Sequence, residues 1–125
     1  MVVVDSSRTS TAEARRVTAE FLSTFRAWVD IEAVVLVVSE LVANAAQHTA
    51  GWWRLCLWVN RERLVVDVED LSRTAPVPRR EPDLSGAGGL GLLMVERLAG
   101  GVEVLPRPDG KTVRATWSLS GPGAL

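Results

Sequence analysis

Apolar residues at helical spacing mark the first long segment of the chain, residues 11–29. Ser10 and Thr11 stand at its start, and Glu13 is placed to complete a capping box, in which side chains satisfy the free N–H groups of a first helical turn. Apolar residues then recur every three or four positions, as they do on one face of a helix. This stripe consists of Val17, Phe21, Leu22, Phe25 and Trp28. We therefore predict a helix over residues 11–29 that buries the stripe in the core.

A second helix is predicted to begin after Asp30, a residue type that caps helices, and to run to about His48. Its sequence, IEAVVLVVSELVANAA, places apolar residues on most of the helix circumference. Such a helix should lie centrally and have little contact with solvent. The residues at 49–51, Thr-Ala-Gly, are expected to end it.

Short apolar runs rich in β-branched residues predict strands in the rest of the chain. The expected strands are residues 2–4 at a sheet edge, 52–60, 63–70, 102–106 and 112–119. Turns at 60–62 and 108–110 join two pairs of them, so each pair should form a hairpin.

The composition changes between the two hairpins. Residues 71–87 contain three prolines with small and charged residues, which excludes a strand or a long helix. A loop of this length in a compact domain is usually functional. The following GLGLLMVERLA predicts a helix that opens on glycines and stops at Gly100 and Gly101.

The predicted order is helix, helix, strand, strand, long loop, helix, strand, strand. Helices combined with hairpins favour an α+β fold, a two-layer sandwich with a mixed, mainly antiparallel sheet and helices on one face. We expect one domain over residues 1–125, with a core of about residues 10–119.

Charge and cysteine content exclude several classes of protein. The net charge is −1, with no extended basic cluster, so direct nucleic-acid binding is not expected. Cys56 is the only cysteine, which excludes disulfides and zinc clusters within the chain, and its apolar neighbours predict an inert, buried thiol. No apolar run is long enough to span a bilayer, and the start of the chain has no signal-peptide pattern. The chain is expected to be cytoplasmic and not membrane-bound.

Glu40 and Asn44 are polar residues on the otherwise apolar second helix. At a spacing of four they lie on one face, one turn apart. A carboxylate can take a proton from a hydroxyl, and an amide oxygen can ligate Mg²⁺. The alternative is that both side chains satisfy backbone groups of a neighbouring loop. His48, a lone histidine near the helix end, fits a cap or core residue better than a catalyst.

Two more segments carry candidate chemistry. Asp70 ends a row of core-facing positions on its strand, which suggests a hydrogen-bond acceptor on the sheet; the alternative is a solvated strand end. The glycine-rich segment 86–91 opens a helix, where free N–H groups and the helix dipole favour an anion such as phosphate. The alternative is that the glycines serve tight packing. Together these features indicate a nucleotide site with Mg²⁺.

In this combination the chain resembles the GHKL (histidine-kinase-like) ATPase superfamily over residues 10–119. Residues 39–45, SELVANA, resemble its N-box, and Asp70 matches the aspartate that accepts a hydrogen bond from the adenine amino group. The resemblance implies ATP or ADP as ligand. The second glycine box, which embraces the phosphates, is matched by Gly89, Leu90, Gly91 and Leu92. The segment between 72 and 87 lies where the family has its ATP lid. Thr112 is a further candidate nucleotide contact.

The stretch SELVANAAQHT in a chain this short resembles the anti-sigma factor serine/threonine kinases. The resemblance implies Glu40 as general base and Asn44 as Mg²⁺ ligand. It also implies phosphorylation of a STAS-domain antagonist, sequestration of a sigma factor, and a homodimer. One departure stands out: no glycine follows Asp70 in Asp-Leu-Ser-Arg-Thr. It motivates the alternative of a catalytically inactive adaptor that sequesters a regulatory partner with or without nucleotide.

Overall fold

The computed structural model describes residues 1–48, 52–72 and 91–119. The helices are α1 (Thr11–Leu22), α2 (Ile31–His48) and α3 (Gly91–Leu98), with a short 3-10 turn, Ser23–Phe25, after α1. The strands are β1 (Val2–Asp5), β2 (Trp53–Val59), β3 (Arg63–Asp70), β4 (Gly101–Arg107) and β5 (Gly110–Ser118). The predicted order of elements is confirmed. Residues 73–87 of the predicted loop and the helix end predicted at 49–51 lie outside the described residues.

The strands form one five-stranded sheet in the order β1-β2-β3-β5-β4. Every pairing is antiparallel, including the pairing of β3 with β5 that joins the two hairpins. The predicted α+β class, both hairpins and the edge position of β1 are confirmed. The sheet of the described residues is antiparallel throughout rather than mixed, because β3 and β5 also run in opposite directions.

The helices cover one face of the sheet, and the core lies between the two layers. α2 occupies the centre of the helical layer, because it contacts α1, α3, β2 and β3. The other face of the sheet carries no helix of the described residues and is called the open face below. None of the described helices is long and apolar enough to cross a membrane. The buried core is formed chiefly by Leu22, Val34, Val37, Val38, Leu41, Val42, Leu55, Leu57, Leu64, Val66, Val68, Val95 and Ala115.

The first helix begins as predicted but ends earlier. Ser10 Oγ accepts from the Glu13 backbone N–H at 3.1 Å, and Glu13 accepts in return from the Ser10 N–H, so the capping box is confirmed. The α-helix stops at Leu22, where the Ser23 hydroxyl donates to the carbonyl oxygen of Glu20. Hydroxyl side chains that bond nearby backbone groups compete with helix continuation. Because the chain turns there, Trp28 is 43% exposed and the prediction that it is core was wrong.

The second helix has the predicted bounds, but one stripe faces solvent. Asp30 Oδ1 accepts from the Ala33 N–H at 3.2 Å, which confirms the predicted cap. The stripe includes Leu36, which is 47% exposed, and the half-buried Glu40 and Asn44. The expectation of little solvent contact was therefore wrong on this stripe, because α1, α3 and the sheet leave one side of α2 uncovered.

Gly110 fixes the contact between the turn at Pro108 and Asp109 and the end of β3. A Cβ at Gly110 would lie 2.0 Å from the carbonyl oxygen of Asp70 and 2.9 Å from its carbonyl carbon. No side chain fits at that distance unless one of the two strands moves. The glycine is therefore required by the close approach of the two strands.

Gly110→Ala should lower the free energy of unfolding by about 1–3 kcal/mol or more, the usual scale of forced overpacking. Urea denaturation followed by circular dichroism measures the loss. Gly101→Ala is the matched control, because a Cβ at Gly101 meets nothing within 4 Å. Equal stability of the two variants would contradict the close packing at Gly110.

Candidate functional site

Glu40 and Asn44 lie one turn apart on the uncovered stripe of α2. Both side chains are half-buried, at the edge between core and solvent. Among the described residues neither makes a hydrogen bond or an ion pair, and no buried side-chain polar atom lacks a partner. Both groups can therefore be reached by a ligand. The alternative that they satisfy a loop backbone has no support in the part of the chain that the structure describes.

Asp70 ends β3 on the helix-covered face of the sheet and is paired with a lysine. In the sheet register it stands between Trp53 of β2 and Lys111 of β5. Lys111 Nζ lies 3.0 Å from Oδ2 and 3.1 Å from Oδ1 of Asp70. The Asp70 and Lys111 side chains are 4% and 7% exposed, so the ion pair is buried. The alternative of a solvated strand end is excluded for Asp70.

Ser72 completes the surroundings of this ion pair. Its backbone N–H donates to Asp70 Oδ1 at 2.9 Å, and its carbonyl oxygen lies 3.4 Å from Lys111 Nζ. Backbone after β3 thus turns back onto the carboxylate and the ammonium together. The turn from Asp70 to Ser72 therefore forms although no glycine directly follows Asp70.

Thr112 lies on the opposite side of the sheet from Asp70. It is paired with Glu69, and its hydroxyl accepts from Arg107 Nε at 2.8 Å on the open face. Glu69 in turn binds Arg107 at 3.1 Å and Arg54 at 2.6 Å. Neighbouring residues of a strand point to opposite faces, which is why Thr112 and Lys111 separate. The structure therefore does not bring Thr112 to the Asp70 carboxylate.

The glycine-rich segment is described only from Gly91 onward. Gly91 and Leu92 form the first turn of α3, which packs against α2. Gly89 and Leu90 lie outside the described residues. The predicted helix after the glycines is confirmed from Gly91 to Leu98, and its last carbonyl accepts from the Trp117 indole N–H at 2.9 Å.

Sequence reasoning missed Lys111 as a site residue. Lys111 is the only lysine of the chain, and it stands directly after a turn glycine. Its place beside Asp70 depends on the register between β3 and β5, which are separated by a long segment. Neither hairpin determines the register between β3 and β5. The presence of a single lysine was therefore the one signal in the sequence that pointed to Lys111.

Asn44 and Asp70, the candidate contacts to Mg²⁺ and to the adenine base, differ in whether the chain already occupies them. Asn44 offers an amide oxygen with no competing partner among the described residues, and Mg²⁺ commonly takes few protein ligands together with phosphates and water. No cluster of three His, Cys, Asp or Glu side chains in the described ranges forms a metal site by itself. The Asp70 carboxylate, by contrast, already holds Lys111.

Cys56 lies on the open face, half-buried, and not in the core as predicted. The alternation of β2 points Leu55 and Leu57 toward the helices and Cys56 away from them. Burial raises the pKa of its thiol, and the nearby carboxylates of Asp67 and Glu69 raise it further.

The chain is thus a two-layer α+β sandwich that carries a polar pair on its central helix and an acid at the end of an inner strand. Residues 4–117 match the histidine kinase-like ATPase domain family, and the chain belongs to that family. Membership supports an ATP-binding regulatory function for the domain. Among curated proteins, none matches this chain.

Asp70→Ala should reduce the free energy of unfolding by about 3–5 kcal/mol, because it leaves the Lys111 ammonium buried without its partner. Asp70→Asn combined with Lys111→Met removes both charges at similar volume and should be far less destabilising. Urea denaturation of the three proteins measures both effects. A double variant as unstable as Asp70→Ala would contradict the role of the unpaired charge.

Alkylation of Cys56 by iodoacetamide should reach half of its maximal rate at a higher pH than that of a free cysteine. The reason is the sign of the pKa shift: burial and the two carboxylates disfavour the thiolate, which is the reacting form. Asp67→Asn removes one of the negative charges and should lower that midpoint. Rates measured across pH 7–11 test this, and a midpoint at or below that of the free thiol would contradict it.

Proposed function

We propose that this protein is an ATP-dependent regulatory kinase of the anti-sigma factor type. It would bind Mg-ATP, transfer the γ-phosphoryl group to a serine or threonine of a STAS-type antagonist, and sequester a sigma factor when the antagonist is phosphorylated. The observation that carries the proposal is the pair of Glu40 and Asn44 on one stripe of α2, which has no partner among the residues that the structure describes.

The two side chains have different roles in this reaction. The Asn44 amide oxygen would hold Mg²⁺, which neutralises charge on the phosphates. Glu40 would accept the proton of the acceptor hydroxyl while the oxygen of that hydroxyl bonds to the γ-phosphorus. The bond from the γ-phosphorus to the β–γ bridging oxygen breaks, and ADP leaves. Asp70 would accept a hydrogen bond from the adenine amino group.

Partner exchange belongs to the same proposal. A domain with a nucleotide site can regulate transcription by holding a sigma factor and releasing it to a competing antagonist. Assembly as a homodimer also belongs to the proposal, which is supported by the resemblance of SELVANAAQHT to the anti-sigma factor kinases.

A second candidate function is an adaptor without catalysis. The specific observation in its favour is the buried Asp70–Lys111 ion pair, which occupies the expected base acceptor. Such an adaptor would sequester its partner with nucleotide bound weakly or not at all. The same binding and transfer measurements separate the two functions.

Glu40→Gln should leave Mg-ATP binding intact and lower phosphoryl transfer by roughly 100-fold or more, the scale of general-base catalysis. Asn44→Ala should instead weaken binding of the magnesium complex. Calorimetry at millimolar Mg-ATP measures binding, and transfer of radiolabelled γ-phosphate to co-encoded STAS-type proteins measures catalysis.

Glu32→Gln is the matched control, because Glu32 is an exposed glutamate in the first turn of the same helix. It should change neither quantity. Transfer that survives Glu40→Gln would contradict Glu40 as the base. Wild-type binding with no transfer to any candidate antagonist would favour the adaptor.

A further inference from the structure

We propose that Lys111 competes with the nucleotide base for the Asp70 carboxylate and so lowers the affinity of this chain for adenine nucleotides. The inference rests on the proposed function, in which Asp70 accepts from the adenine amino group. It adds Lys111 as the residue that sets how strongly the base contributes to binding.

The hydrogen-bonding capacity of Asp70 is nearly filled within the chain. A carboxylate offers about four lone-pair positions. Oδ1 accepts from the Ser72 N–H at 2.9 Å and from Lys111 Nζ at 3.1 Å, and Oδ2 lies 3.0 Å from the same Nζ. The one lone-pair position that is left is enclosed, because the Asp70 side chain is only 4% exposed. The amino group of a nucleotide base therefore reaches this carboxylate only by displacing Lys111 Nζ.

Lys111 is also satisfied where it lies. An ammonium has three N–H donors and no acceptor. Among the described residues, Nζ has three oxygens within reach: both Asp70 carboxylate oxygens and the Ser72 carbonyl, the last at 3.4 Å. Its side chain is 7% exposed, so solvent contributes little to holding it there. The lysine thus has one partner within the chain for each of its three donors.

The competition between the two donors is unequal. The lysine bond joins opposite charges, whereas the amino group of adenine is a neutral donor, and charge-assisted hydrogen bonds are roughly twice as strong as neutral ones. Lys111 is part of the chain, so it also competes at a high effective concentration. Binding of the base then requires a form with the lysine moved away, and the apparent affinity falls with the population of that form.

A triphosphate without a base escapes this competition. It would use the Mg²⁺ and phosphate side of the site, which includes Asn44 and not Asp70. Wild-type protein should therefore prefer Mg-ATP over Mg-tripolyphosphate only slightly. Removal of the lysine should enlarge that preference and leave tripolyphosphate binding unchanged.

The first test is calorimetric titration of wild type, Lys111→Met and the double variant Asp70→Asn/Lys111→Met with Mg-ATP and with Mg-tripolyphosphate. Both variants should bind Mg-ATP at least about tenfold more tightly than wild type, as expected if the lysine-free form is a tenth or less of the population. The double variant retains an amide oxygen for the base amino group and has no buried charge, so it keeps the test valid if Lys111→Met does not fold. Arg107→Met, which removes a cation from the open face, is the control and should bind as wild type does.

The second test uses the wild-type protein. Because Lys111 is the only lysine, labelling with ¹³Cε-lysine gives one lysine side-chain signal in an NMR spectrum. Saturating Mg-ATP should move this signal, because Nζ leaves the carboxylate, and Mg-tripolyphosphate should not. A stationary signal in protein that is saturated with ATP would overturn the proposal.

Failure of this inference differs from failure of the proposed function. If the variants bind Mg-ATP no more tightly than wild type while tripolyphosphate binds all of them, only the competition by Lys111 is refuted. If no protein of the series binds either ligand, the nucleotide site itself is refuted, and the inference falls with it.

Discussion

The pairing of β3 with β5 is the constraint on which the rest of the molecule depends. It joins two hairpins that are far apart in the sequence into one sheet, and it makes the sheet face on which the three helices pack continuous. Its register sets Asp70 beside Lys111 and brings Gly110 under the Asp70 carbonyl. A slip of one residue would move every side chain of β5 to the other face. It would turn Thr112, which is buried on the open face, toward the helices and turn Lys111 to the open face.

Given this register, the two faces of the sheet have different electrostatics. On the helix-covered face, charge is confined to the end of the strands, where Asp70 and Lys111 neutralise each other. On the open face, ion pairs run across the strands, as between Asp67 and Arg114 at 2.8 Å. Solvent reaches the arginine ends of these partly buried pairs and screens them more than it screens the pair of Asp70 and Lys111. The buried pair of Asp70 and Lys111 matters more for stability, because loss of either residue would leave the other charge buried without a partner.

Local patterns predicted what depends on local sequence. The capping box at Ser10, the cap at Asp30 and both hairpins could be read from the chain, because each is formed by residues close in sequence. Trp28 and Cys56 were placed wrongly, since their burial depends on where a helix ends and which face of a strand is covered. The partner of Asp70 could not be predicted, because contact between β3 and β5 is settled by the packing of the whole sheet.

The two halves of the candidate site consequently differ in kind. The α2 half presents Glu40 and Asn44 without partners among the described residues, so a ligand gains their interactions without breaking others. The sheet half presents Asp70 already bound, so a ligand gains there only the difference between its own donor and the ammonium of Lys111. Net hydrogen-bond energy is always such a difference. Under the proposed function, nucleotide binding would therefore depend more on contacts to Mg²⁺ and the phosphates than on contacts to the base.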